Sequence, residues 1–268
     1  MKCTRRVLPA LLAAFLAAAP LIAAEKFTRK PPTAEDWTAL AKLPDFTGVW
    51  EVMMGGPPRV AGRGAAPAAP RARAPRPQPS LTPEYAAKAK AEAAKPAGES
   101  ESANCLPPGL PGIMNQPYPM EFLLTPGQVT IVIEAYSQVR HIYTDGRTLP
   151  ADPDPKFYGT SVGHWDGDTL VAESVGFERV PRELTFPYSD KMKVVERFHL
   201  TDPDTMEIET TIVDPEALTK PFSMGTRTLK RHRSWTIAEY VCEENNRNFV
   251  DSQGKAGINL ANPNAAPR

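Results

Sequence analysis

Residues 159–177, GTSVGHWDGDTLVAESVGF, constrain the fold more than any other part of the chain. Two runs of strand-forming residues flank the sequence Asp166-Gly167-Asp168, and Asp-Gly between such runs is typical of a tight β-hairpin. Similar runs separated by turn residues recur before and after this hairpin, without an alternation of strands and helices. The sequence therefore predicts an all-β fold, an antiparallel barrel or a sandwich of nine or ten strands, with one short peripheral helix.

The pattern also predicts where the barrel domain begins and ends. We expect a lead-in over 25–44 with a short helix capped by Thr33, then one domain over 45–250, in which 222–233 and 237–241 are the closing strands. Thr82, Pro83 and Glu84 are typical of a helix start and place the peripheral helix at 82–94. Residues 251–268 are polar and are expected to be a disordered tail.

The first residues predict export. Lys2, Arg5 and Arg6 precede an apolar run over 7–22, and Ala23-Ala24 offers a cleavage site, so 1–24 is predicted to be a signal peptide and the protein periplasmic or secreted. An uncleaved anchor is the alternative. No later segment has the length and apolarity of a membrane span, so no transmembrane segment is expected after cleavage.

Cleavage changes the cysteine count and the charge. It leaves Cys105 and Cys242, which in an exported chain most simply form one disulfide; two free thiols in a reactive or metal site are the alternative. It also removes three basic residues, so the formal net charge goes from 0 to −3. This balance gives no long-range preference for nucleic acid, and no nucleic-acid partner is expected.

Residues 57–79 differ from the rest of the chain, because they are rich in arginine and proline and contain no acidic residue. Such a segment cannot bury enough apolar surface to offset the entropy of ordering, so it is predicted to be a disordered insertion. The alternative is a basic arm that contacts anionic polymers of the cell envelope or another protein.

Two sets of residues resemble known families. Gly48 and Trp50 are similar to the lipocalin signature, in which a tryptophan closes the base of the barrel against a late arginine; Arg227, Arg231 or Arg233 would be that arginine. The motifs CLPPG (105–109), EAYSQVRHIYTDGR (134–147), GHWDGDTLV (163–171) and YVCEENN (240–246) resemble a family of exported bacterial proteins, over roughly 45–248 without the insertion. This resemblance implies a paired set of cysteines and does not imply an activity.

Strand alternation identifies carboxylates on apolar faces. Glu173 shares a face with Val171 and Val175, and Glu196 shares one with Val194 and Phe198. A buried carboxylate is costly unless it is paired, so two of them could line a polar floor suited to general acid–base chemistry. The alternative is that each pairs with an arginine across the sheet or faces water.

Other polar residues cluster at the end of the predicted strand 138–144. Arg140 and Ile142 lie on one face, and Tyr143 lies near Asp145 and Arg147. Tyrosine and arginine there predict a clamp for an anionic or polar group at a barrel mouth. The alternative is that Asp145 is a turn residue and Arg147 its ion-pair partner.

The histidines give little support for metal or cofactor chemistry. No two of the four have the spacing of metal ligands, so no metal and no cofactor is expected. His164, next to Trp165 and Asp166, is a candidate base that an aspartate would orient, and a surface residue is the alternative.

These residues lead to a ranked set of functions. The first is a lipocalin-like protein that binds a small-molecule ligand, apolar or aromatic, in its barrel, against Tyr143, Trp165, Phe177 and Phe198, with Arg140 or Arg147 fixing a polar group. The second is a cofactor-independent lyase, hydratase, isomerase or hydrolase that uses Glu173 or Glu196 as acid or base and His164, Tyr143 or Arg140 to stabilise charge. The third is an envelope interaction protein that acts through the insertion.

Overall fold

The structure is a computed structural model of the chain, and it describes residues 31–53, 77–94, 105–178, 184, 186–241, 248–250 and 256–258. The predicted signal peptide, almost all of the predicted insertion and Cys242 lie outside the described residues. The cleavage site, the disorder of the insertion and the disulfide therefore stay predictions.

Nine strands form a closed barrel, in which each strand pairs with the next and β9 pairs with β1. The all-β, lipocalin-like barrel is thus confirmed, and a sandwich is excluded because each strand of the ring pairs with both of its neighbours. The strands are β1 (Gly48–Val52), β2 (Met120–Thr125), β3 (Gln128–Ile133), β4 (Gln138–Tyr143), β5 (Thr160–Asp166), β6 (Thr169–Val175), β7 (Lys193–Asp202), β8 (Thr205–Val213) and β9 (Phe222–His232).

The hairpin predicted within residues 159–177 is confirmed as β5 and β6. Asp166 pairs with Thr169 at its end, and Gly167 lies between them with a φ of 62°, which glycine adopts without the steric cost that other residues have. The Asp-Gly sequence therefore places the turn where the strand pattern predicts it.

One pair of neighbouring strands, β4 and β5, is parallel, with Ile142 opposite Ser161. This corrects the expectation of a wholly antiparallel barrel, and it has a geometric cause: nine strands in a closed ring cannot all alternate in direction. A parallel pair needs a long connection, which the proline-rich residues 144–159 provide. Gly163 allows close packing here, since a Cβ atom added to it would lie 2.8 Å from Cγ2 of Ile142.

The chain beyond β9 differs from the prediction. Residues 237–241 are not a strand, and the ring is instead closed by the pairing of β9 with β1. Two short strands, β10 (Asn248–Val250) and β11 (Ala256–Ile258), instead form a separate two-stranded sheet. The barrel therefore ends at His232 rather than near 250, and the segment predicted as a disordered tail contains β11.

Both predicted helices are present. The first, α1 (Ala34–Leu40), has the expected cap at Thr33, whose side chain accepts a hydrogen bond from the backbone of Asp36. The second, α2 (Pro83–Ala93), follows Thr82, whose hydroxyl donates to the carbonyl of Glu216 instead of capping the helix. This bond ties the start of α2 to the β8–β9 connection. Among the described residues, no helix is long and apolar enough to cross a membrane.

One end of the barrel is closed by aromatic side chains. The indole N–H of buried Trp50 donates to the carbonyl of Phe46 over 2.9 Å, and the ring of Phe46 lies 5.2 Å from that of Trp165. The guanidinium of Arg231 lies 4.5 Å from the centre of the Trp50 ring and donates to Asp45. Of the three candidate arginines, Arg231 is therefore the one that covers the tryptophan.

Candidate functional site

Six polar residues, one from each of the six consecutive strands β4 to β9, have positions on the inner face of the barrel. They are Arg140, Ser161, Ser174, Glu196, Thr210 and Arg227, and we call them the polar belt. The strand register aligns them, since Ser161 lies opposite Ser174 and Glu196 opposite Thr210. Because alternate residues of a strand share a face, their inner neighbours are the buried Ile142, Ala172, Val194, Phe198, Ile208 and Ile212.

An ion pair forms the centre of the polar belt. Nη2 of Arg140 lies 2.5 Å from Oε2 of Glu196, and the two side chains are 1% and 0% exposed. The same nitrogen is within 3.3 Å of the hydroxyl of Ser174 and 3.5 Å of that of Ser161, and these two hydroxyls are 2.7 Å apart. One nitrogen of Arg140 thus joins three other members of the belt.

The ion pair leaves three buried polar atoms without a hydrogen-bond partner in the described part of the chain. They are Nε and Nη1 of Arg140 and Oε1 of Glu196. A buried donor or acceptor that lacks a partner costs about 1–3 kcal/mol, and more when the group is charged. Among the described residues, the belt therefore holds two unused donor nitrogens and one unused acceptor oxygen.

Arg227 adds a second guanidinium to the polar belt. Its Nη1 donates to the hydroxyl of Thr210 over 3.2 Å. Burial lowers the pKa of Arg227 below its ordinary value, while the nearby carboxylate of Glu196 acts in the opposite direction. Arginine remains charged even after such a shift, so the belt combines two positive charges with one negative charge.

Arg227 also lies in a part of β9 that, among the described residues, has no partner strand on the side of β1. The strand β1 ends at Val52, which pairs with Leu229, whereas β9 begins seven residues earlier, at Phe222. In the described ranges, the part of β9 from Phe222 to Arg227 has backbone partners on β8 and none on the side of β1. Arg227 is half-buried, whereas the other five members of the polar belt are buried, so Arg227 is the member of the belt nearest to solvent.

Several predicted site residues do lie inside the barrel. Arg140 and Glu196 form the central ion pair, and Phe198 is fully buried with its ring 6.1 Å from that of Phe122. Trp165 also faces inward but belongs to the closed end. Phe177 lies after β6, is half-buried and packs against the core.

The structure separates the two candidate carboxylates. On β6 and β7, Glu196 lies opposite Ala172 and Glu173 lies opposite Val195, so Glu173 is on the outer face. There its carboxylate pairs with the amine of Lys193 over 2.7 Å. The predicted polar floor with both carboxylates is therefore wrong.

The cluster at the end of β4 lies outside the barrel. Tyr143 is one residue from inward-facing Ile142, and Arg147 stacks on its ring at 3.7 Å. Arg147 also pairs with Asp145 over 2.5 Å, and this hydrogen bond lowers the pKa of Asp145. The alternative interpretation, a turn aspartate with its arginine partner, is thus confirmed in place of a clamp at the mouth. His164 is exposed on the outer face of β5.

Sequence reasoning did not include four members of the polar belt as site residues: Ser161, Ser174, Thr210 and Arg227. Hydroxyl residues are common on both faces of strands and give no signal by themselves. A signal was present in β6, where Leu170, Ala172 and Ser174 alternate and the small side chains leave space for Arg140 from β4.

Comparisons with known proteins add no functional assignment. The chain matches no protein-family model and no curated protein. Among the residues that the structure describes, no group of histidine, cysteine or acidic side chains could hold a metal ion.

Proposed function

We propose that this protein is an exported, lipocalin-like binding protein whose barrel holds a small, largely apolar or aromatic ligand. The single observation that carries the proposal is the set of three polar atoms on Arg140 and Glu196 that have no hydrogen-bond partner in the described part of the chain. A ligand whose polar group reaches the polar belt would supply the missing hydrogen bonds, and its apolar part would pack against the surrounding aliphatic and aromatic side chains.

The energetics of the polar belt support binding rather than a purely structural role. Replacing a buried ion pair by apolar side chains of similar volume is often neutral or stabilising, so stability alone does not require charges here. A few placed polar groups inside an apolar cavity are typical of small-molecule sites, where they fix the orientation of the ligand. The half-buried Arg227 connects this interior to the solvent-facing part of β9.

Acid–base catalysis has less support than binding. The enzymatic alternative relied on Glu173 and Glu196 acting in one cavity, but these residues lie on opposite faces of the barrel wall. His164 is exposed on the outer face, away from Glu196. Only Arg140 and Glu196 of that hypothesis remain together, and in this arrangement they neutralise each other.

Native mass spectrometry of the mature protein tests the proposal, together with organic extraction of what copurifies. A neutral fluorescent probe, N-phenyl-1-naphthylamine, is titrated in parallel. We expect a bound small molecule in the native spectrum, or saturable enhancement of probe fluorescence if the ligand is lost during purification. Variant Arg227→Gln should weaken retention of the copurified molecule.

Arg197→Gln is the matched control, because Arg197 lies on the outer face of β7 and pairs with Asp166 over 3.0 Å. It should retain the ligand as the unchanged protein does. Absence of a copurified molecule together with absence of saturable probe binding would contradict the proposal.

A further inference from the structure

We infer that the ligand of the polar belt is a carboxylate that carries a neighbouring hydroxyl group, that is, a hydroxycarboxylic acid with an apolar or aromatic body. This inference rests on the proposed function and names the class of ligand. It follows from the charge of the belt and from its unused hydrogen-bonding atoms.

The charge of the polar belt favours an anion. Arg140 and Arg227 contribute two positive charges, and Glu196 contributes the one negative charge among the six members. A cationic ligand would add a third positive charge beside the buried pair, and a neutral ligand that covers Arg227 would remove water from its charge without replacing it. A carboxylate brings the belt to neutrality.

The unused atoms of the polar belt specify a second group. A carboxylate can accept hydrogen bonds from Nε or Nη1 of Arg140, but it has no hydrogen to donate to Oε1 of Glu196. A bare carboxylate would also face that oxygen with like charge. A hydroxyl next to the carboxylate donates to Oε1 and keeps the two anionic groups apart, so a hydroxycarboxylate satisfies both donors and the acceptor.

The position of Arg227 indicates the order in which the carboxylate and the hydroxyl of the ligand reach the polar belt. Arg227 is half-buried, whereas Arg140 and Glu196 are closed off from solvent. The carboxylate therefore meets Arg227 first, and it then lies between Arg227 and the unused donors of Arg140, with the hydroxyl beside Oε1 of Glu196. Arg227 is thus the residue that selects for the anion.

Three probes of one shape test this inference: mandelate, phenylacetate and 1-phenylethanol. Phenylacetate lacks only the hydroxyl of mandelate, and 1-phenylethanol has a methyl group in place of the carboxylate. Their displacement of N-phenyl-1-naphthylamine gives three dissociation constants. We expect mandelate to bind about tenfold more tightly than phenylacetate, and 1-phenylethanol to bind most weakly, since each lost group leaves a charged partner unsatisfied.

Two variants test whether Arg227 causes the difference in affinity between the three compounds. Arg227→Gln should weaken mandelate and phenylacetate about tenfold or more and leave 1-phenylethanol unchanged. The matched variant Arg197→Gln should change none of the three constants.

The outcomes separate this inference from the proposed function. If the naphthylamine probe binds but 1-phenylethanol or phenylacetate displaces it as well as mandelate does, the ligand class is wrong and the binding function stands. If neither the probe nor any of the three compounds binds, both the ligand class and the binding function are wrong.

Discussion

The guanidinium of Arg140 lies 2.5 Å from the carboxylate of Glu196, and both side chains are closed inside the barrel. Arg140 comes from β4 and Glu196 from β7, so this contact crosses the interior. Ser161 and Ser174, on the two strands between them, bond to the same nitrogen of Arg140. The pair is therefore the centre of the polar belt and of the proposed site.

The first prediction concerns the stability of this pair. Glu196→Leu leaves the guanidinium of Arg140 buried without its countercharge, so we expect a loss of about 3–5 kcal/mol in the free energy of unfolding. The double variant Arg140→Met/Glu196→Leu removes both charges and should recover most of that loss. Urea denaturation, followed by circular dichroism, measures both values.

The outer pair of Glu173 and Lys193 is the control for this experiment. Its side chains are about one-third exposed, and Glu173→Leu should cost less than about 1 kcal/mol. Equal losses from Glu173→Leu and Glu196→Leu would contradict the placement of the two glutamates on opposite faces.

The second prediction concerns the closed end. Arg231→Ala removes the stacking on Trp50 and the hydrogen bonds to Asp45, and we expect a loss of about 2 kcal/mol in the free energy of unfolding. Tryptophan fluorescence during urea denaturation reports the change. Arg233→Ala is the control, because Arg233 is 61% exposed and pairs with Asp204. If Arg233→Ala costs as much as Arg231→Ala, the assignment of Arg231 as the covering arginine is wrong.

The third prediction concerns the stability of the protein at acidic pH. The hydrogen bond from Arg147 holds the pKa of Asp145 below its ordinary value of 3.8. A carboxyl whose pKa is lower in the folded state stabilises the fold above its unfolded pKa, and this stabilisation is lost as pH falls through the folded pKa. The free energy of unfolding should therefore decrease below about pH 4. Asp145→Asn should make that decrease smaller in urea denaturation repeated across acidic pH.

Arg147→Gln provides an independent check of this pH dependence. It removes the cause of the pKa shift while it keeps the carboxyl, so it should reduce the acid-dependent loss as Asp145→Asn does. If the free energy of unfolding falls as much at acidic pH in both variants as in the unchanged protein, carboxyl groups other than Asp145 cause the fall.

The fourth prediction is the disulfide that the sequence predicts between Cys105 and Cys242. Peptide mapping of the protein, prepared without reduction, should recover one cross-linked peptide that contains both residues. In the chain-entropy model, a loop of this length contributes about 4–5 kcal/mol, so reduction should lower the midpoint of urea denaturation. Recovery of both cysteines as free thiols would contradict the pairing.

Local sequence signals predicted much of the fold. The Asp-Gly turn defined the hairpin of β5 and β6, and Thr33 and Pro83 marked the starts of both helices. The parallel pair of β4 and β5 could not be predicted in this way. It results from closing a ring that has an odd number of strands, and no local sequence pattern indicates how many strands the ring contains.

The site was predicted only in part, for a physical reason that β6 illustrates. Leu170, Val171 and Ala172 are consecutive apolar residues that are all buried. The sequence of β6 therefore does not show which side chains face the interior of the barrel. The apolar residues Val171 and Val175 beside Glu173 therefore predict the wrong face for this carboxylate. In β7 the buried residues alternate, and Glu196 was assigned correctly.

Nuclear magnetic resonance of the arginine side chains tests the central claim most directly. The Nε–H signals of Arg140, Arg227 and Arg197 are assigned with single Lys variants and followed while mandelate is added. The account predicts saturable shifts of the Arg140 and Arg227 signals and no shift of the Arg197 signal. Saturable binding that leaves the Arg140 and Arg227 signals unmoved would contradict the polar belt as the ligand site.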